Sequence, residues 1–231
     1  MKPVVKKLKQ SWPEYVLEIL VITTGILGAF ALNSWGETRK ANEDERYILE
    51  EILNNLREDK EQIDHISSRR VAVKFSIDRM LEVLPDGEFD LDTLGIDLAN
   101  FMSFERFYPI SNAYEMFKST GSRISNKDLR TLISRYYDFE QNKVNSSIVD
   151  IERSFITHIE GGDKLRRHIT AIELGKYVRV VDANDKSFRD ELEYQLVAFK
   201  FNNIGTLEKV FAFSEINKAL IKSVEEEIAK F

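Results

Sequence analysis

Glu18 puts a carboxylate where one is not expected. From Tyr15 to Trp35 the chain reads YVLEILVITTGILGAFALNSW, and Glu18 is the single formal charge in that run, with Asn33 as its single amide. An acid in such a run can reach back along its own methylenes to a headgroup layer. It can also share a hydrogen bond or a proton with a neighbouring helix, in the limit lining an ion or proton path. At about 100° per residue, Glu18, Gly25, Ala29 and Gly36 fall within about 20° of one line, with Asn33 somewhat further round. Small residues let helix backbones approach closely. Glu18, Gly25, Ala29 and Asn33 are therefore the expected association face of a membrane helix, or in the alternative reading the lining of an oligomeric channel.

The rest of the chain offers little reactive chemistry. With no cysteine, thiolate catalysis and Cys-based zinc sites are excluded. His65, His158 and His168 stand in no HExxH spacing. His158, Glu160, Asp163 and His168 gather around a Gly-Gly turn, but residues of these types are ordinary in loops. No nucleophile elbow, phosphate-binding loop or dinucleotide fingerprint appears. Lys164, Arg166 and Arg167 form a short basic cluster that reads as a solvated face. The expectation is a protein that is not an enzyme, with no catalytic residue, no cofactor and no metal.

The element that carries Glu18 has membrane dimensions. Twenty-one residues at 1.5 Å each span about 31 Å, close to the hydrocarbon thickness of a bilayer. Ser11, Pro13 and Glu14 make a helix-start signature. Trp12 and Tyr15 at one end and Trp35 at the other are placed as interfacial anchors. A cleaved signal peptide is the rival, opposed by the length of the run and by Trp35. Lys2, Lys6, Lys7 and Lys9 precede the run while Arg39, Lys40 and Arg46 follow it. That bias puts the N-terminus in the cytoplasm and the body periplasmic or otherwise extracytoplasmic, anchored in a bacterial inner membrane.

The formal net charge of -6 divides unevenly: residues 1–36 carry +2, which leaves -8 for the remainder. So acidic a body has no surface for nucleic acid. Its expected partners are the lipid bilayer, further copies of itself and other membrane proteins. Residues 1–12 read as a basic cytoplasmic tail, 13–36 as the transmembrane helix, 37–84 as a long heptad-bearing helix and 85–231 as a helical bundle packed on it. The heptad register is Leu49, Ile52, Leu56, Asp59, Ile63, Ile66, Arg70, Val73, Ile77, Met80 and Leu84. It suits an oligomeric coiled coil or the spine of an antiparallel bundle.

Pro85–Asp90 is a turn signal. A helix is expected from Asn112, capped with Glu115 and stopped by Gly121, and another from Ser125 with Asp128 through Tyr136 and Tyr137 toward Phe155. Two more helices should follow, one capped by Ser187 with Asp190, the last carrying Phe213 to Ile228. KYVRVVDAND alone has strand composition, with no evident partner. The expected fold is all-α: a single N-terminal transmembrane helix continuing into a long helix and an antiparallel helical bundle.

Two blocks carry a resemblance. YVLEILVITTGILGAFALNSWGETRK, with Glu18, Gly25, Asn33 and Trp35, and YEMFKSTGSRISNKDLRTLISRYYD, Tyr114 to Asp138, resemble an uncharacterised family of single-pass membrane proteins frequent in Bacteroidota. NDKSFRDEL extends the similarity over most of the chain; the membrane block departs from the pattern at Thr23, Thr24, Gly28 and Phe30. The resemblance implies a membrane location and a helical body, and supplies no catalytic residue. Scaffold, accessory subunit or sensor is the expected role, with self-association.

Overall fold

The computed structural model describes residues 2–121, 123–161, 163–173 and 176–231, with side chains at residues 12, 14–121, 123–157, 165–173 and 176–231. Ser11 and Pro13 of the helix-start signature, the four N-terminal lysines, and His158, Glu160, Asp163 and Lys164 lie outside the described side chains. Helix α1 runs unbroken over Lys2–Val83. At 1.5 Å per residue its 82 residues make a rod about 120 Å long. The Ser11–Pro13 signature is thus interior to the helix, because the lysine-rich stretch before it is itself a good helix former.

Seven further helical and strand elements fold back along the C-terminal half of that rod. They are α2 (Leu91–Phe101), α3 (Asn112–Thr120), α4 (Lys127–Arg135), α5 (Gln141–Gly161), α6 (Asp163–His168), and strands β1 (Ile169–Glu173) and β2 (Tyr177–Val180). The chain closes with α7 (Lys186–Ile228), 43 residues in one helix where two were expected. A π-helical turn, Tyr136–Glu140, joins α4 to α5. Helix α7 runs antiparallel to α1. Arg189 reaches Leu84, Asn203 reaches the Arg70 carbonyl, and Asn217 reaches the Leu56 carbonyl.

Every residue of the heptad register is buried, from Leu49 to Leu84. The seam is filled by this chain's own helices, so it is the spine of a bundle and not a coiled-coil contact between copies. The core has two parts along α1. Residues Ile48 to Ile66 pack with α3, α4, α5 and the second half of α7; residues Val73 to Leu84 pack with α2, the hairpin and the first half of α7. Arg70 lies between them and donates to Glu105 Oε2 at 2.7 Å and to the Ser103 carbonyl at 2.6 Å.

Two helix starts shift from their expected positions because a residue close by supplies the capping acceptor. Asn126, not Ser125, caps α4 by accepting from the Leu129 amide at 3.1 Å, and Ser125 instead donates to Glu45 on α1. Asp185, not Ser187, caps α7 through the amides of Ser187 and Phe188. Ser111 occupies the cap position of α3, and Gly121 ends it at φ 67°, a left-handed conformation suited to glycine. The strand segment has a partner after all: β1 pairs antiparallel with β2 and the hairpin lies on α2.

Candidate functional site

Trp12, Tyr15 and Trp35 are 61%, 53% and 64% exposed, and the large apolar residues between them are also bare. Glu18, Gly25, Ala29 and Asn33 lie exposed on this segment, and a Cβ built on Gly25, Gly28 or Gly36 would meet nothing within 4 Å. The Asn33 amide donates to Glu37 Oε1 at 2.8 Å, one turn along the same helix. The helix is long and apolar enough to cross a membrane, and none of its most apolar stretch is covered by the body. The C-terminal end of α7 returns to the end of this segment. There an open cleft of about 460 Å³ is lined by Trp35, Arg39, Glu43, Arg46, Lys230 and Phe231. Sequence patterning gave no sign that Phe231 and Trp35 line one cleft, because nothing local links positions so far apart.

The body's main polar cluster surrounds Asp59, an acid in the otherwise apolar register. The Tyr136 hydroxyl and Gln141 Nε2 donate to Asp59 Oδ2, each at 2.8 Å, and the Ile110 amide donates to Oδ1 at 3.2 Å. Asn217 Nδ2 donates to the Tyr136 oxygen and to the Leu56 carbonyl, both at 2.9 Å. Three segments therefore donate to one carboxyl of α1: the loop before α3, the π-helical turn and α5, and α7 joins them through Tyr136. The π-helical turn makes this possible, because its extra residue lets Tyr136, Tyr137, Glu140 and Gln141 all face inward.

Burial pushes the Asp59 carboxyl up to about 6, against the opposing effect of the hydrogen bonds from Tyr136, Ile110 and Gln141. Burial, reinforced by the adjacent Asp59, holds the Tyr136 phenol far above its ordinary range. Tyr136 is thus a fixed donor, and Asp59 can hold or release one proton near neutrality. Each of these partners donates to Asp59, so together they tie the surrounding elements to one carboxyl, and it is burial, against those donors, that favours its proton. A mostly apolar cavity of about 240 Å³ lies on the other side of Tyr136, lined by Leu132, Ile216, Ala219 and Leu220, with Arg135 and Glu140 paired at 3.1 Å.

His65 lies exposed on α1. His168 Nε2 lies 3.4 Å from Asp185 Oδ1, and its ring is 5.5 Å from that of Phe188. Among the described residues no group of three or more histidine, aspartate or glutamate side chains is arranged to hold a metal ion. The chain matches no protein-family model, no curated protein and no solved structure.

Proposed function

We propose that this chain is a single-pass inner-membrane protein of the kind its Bacteroidota resemblance implies. In this reading its helical body is held outside the membrane and acts without catalysis, as a self-associating scaffold, accessory subunit or sensor. One observation carries the reading: the most apolar part of α1 has no cover in the fold, while the same helix continues without interruption into a fully packed spine. Water-soluble domains do not keep an apolar surface of this extent bare. Lipid is the solvent that suits it, and an α-helix is the form in which a chain satisfies its backbone there. The lysines before the segment favour a cytoplasmic N-terminus.

Because the chain lacks cysteine, single cysteines report topology directly. A cysteine at Glu61 should react with a membrane-impermeant maleimide in intact spheroplasts and one at Lys7 should not. The protein should float with membranes after a carbonate wash. Recovery in the soluble fraction sinks the anchored reading; labelling at position 7 alone reverses the orientation. Ion flux through liposomes should stay at background for wild type and for Glu18→Gln, and a flux abolished by that substitution establishes the channel reading instead.

A further inference from the structure

We propose that the outward face of α7 is a self-association surface on which a second copy of this chain lays its own α7 in parallel. The inference rests on the anchored reading above, because the anchor fixes the geometry.

Tyr194, Val197, Phe201 and Phe211 are 64%, 43%, 72% and 47% exposed, and with half-buried Ile204 they form a stripe along the helix at coiled-coil spacing, interrupted once by Glu208. A groove runs beside the stripe, between α7 and the α4–α5 arm. It is made of three adjoining cavities, the first two sharing Glu140 and Ile216 and the last two sharing Lys209. On its α7 side stand Gly205, Ala212 and Ala219, seven residues apart. A Cβ added at Gly205 would meet nothing within 4 Å. Large exposed rings beside small-residue gaps are the knobs and holes of a helix pair.

The tether argues for a second copy as the occupant. Two chains inserted in one bilayer in the same sense are related by a two-fold axis along the membrane normal, close to the direction of α1. Helix α7 lies antiparallel along α1, so each α7 is brought beside its image in parallel and at the same height. Phe201 then falls one turn from the partner copy's equivalent of Gly205. The register of α1 cannot serve, because the chain's own helices fill it.

The area fits a contact that needs the tether. Three aromatics exposed to this degree offer roughly 350 Å² per protomer. About 700 Å² for the pair falls short of the roughly 1,200–2,000 Å² of a stable free-standing interface. Confinement to one membrane raises the effective concentration enough for such a contact to form.

The test uses full-length protein in proteoliposomes, read only on the floated fraction, so failure to float reports on the anchor and not on this surface. Gly205→Cys and Ala212→Cys should each form disulfide-linked dimers about tenfold or more faster than Glu61→Cys. Adding Phe201→Ser to Gly205→Cys should slow crosslinking by a similar factor with an unchanged thermal midpoint, since Phe201 is mostly exposed. Equal rates at positions 61 and 205, or indifference to Phe201→Ser, overturn the surface. Faster crosslinking in a mixture of the Gly205→Cys and Ala212→Cys chains than in either alone overturns the parallel arrangement.

Discussion

The hydroxyl of Tyr136 donates a 2.8 Å hydrogen bond to Oδ2 of Asp59, tying the π-helical turn to the single acid of the α1 register. Asp59 titrates at about 6 when folded against an ordinary 3.8, so folding favours its protonated form. Its contribution is therefore complete below pH 3.8 and is lost as pH rises through 6, a swing on the order of 3 kcal/mol. Asp59→Asn removes the titration. The stability of Asp59→Asn relative to wild type should rise by a few kcal/mol between pH 4 and pH 7, measured by chemical denaturation. A difference that stays flat across that range contradicts the buried, proton-holding role. The difference is the right quantity because Asp78, held low by Lys200 and Lys74, and Glu227, held low by Lys230 and Asn126, titrate with the opposite sign.

Arg189 on α7 closes the end of α1. Its Nη2 donates to the carbonyls of Val83, Leu84 and Gly87 at 3.1, 2.6 and 3.1 Å, and its guanidinium lies 5.0 Å from the centre of the Phe89 ring. The Val83 carbonyl also accepts from the Gly87 amide at 2.9 Å, and the side chain serves the carbonyls of Leu84 and Gly87 at the end of the helix. Arg189→Met should cost about 1–3 kcal/mol in the denaturation midpoint. Arg189→Lys should recover only part, since an ammonium lacks the planar fork.

Gly95 is required by contact. A methyl there would sit 2.3 Å from Tyr177 Cε2 and 2.7 Å from the Val178 carbonyl oxygen, which belong to the strand lying on α2. Gly95→Ala should lift the hairpin, seen as faster amide exchange at Val178 and Val180, at a cost of about 1–3 kcal/mol. Truncating Tyr177 as well should not restore protection, because the carbonyl clash remains.

Glu105 is held by two adjacent arginines: Arg69 Nε at 3.1 Å on Oε1, and Arg70 Nε at 3.1 Å and Nη2 at 2.7 Å on Oε2. Arg70→Met leaves Oε2 of a carboxylate mostly shielded from water without its donor, with Arg69 still on Oε1, and should cost about 1–3 kcal/mol. The double variant Arg70→Met with Glu105→Gln should be more stable than Arg70→Met alone. If the second substitution makes matters worse, the stranded-charge account is wrong.

The spine was the most legible element, and its two irregular positions were as informative as its apolar ones. Asp59 and Arg70 interrupt the heptads, and the structure builds its largest polar contacts on them. Helix α2 was hidden by Gly95, which reads as a helix weakener; the reason for it lies in Tyr177, far along the chain. The hairpin was hidden because β1 is exposed along most of its length and so lacks an alternating pattern. The Asp59 cluster could be suspected from an acid in the register, but its partners come from positions 51 to 158 residues away, beyond the reach of periodicity.

The continuity of α1 makes the chain a stiff shaft. With no hinge at Gly36, where the helix persists, a small tilt of the bare apolar end would swing the far tip, some 70 Å beyond Trp35, through a proportionate arc. If that end is anchored in lipid as proposed, thinning or thickening of the bilayer becomes a displacement of α2 and the hairpin, delivered mechanically and without any change in the packed body.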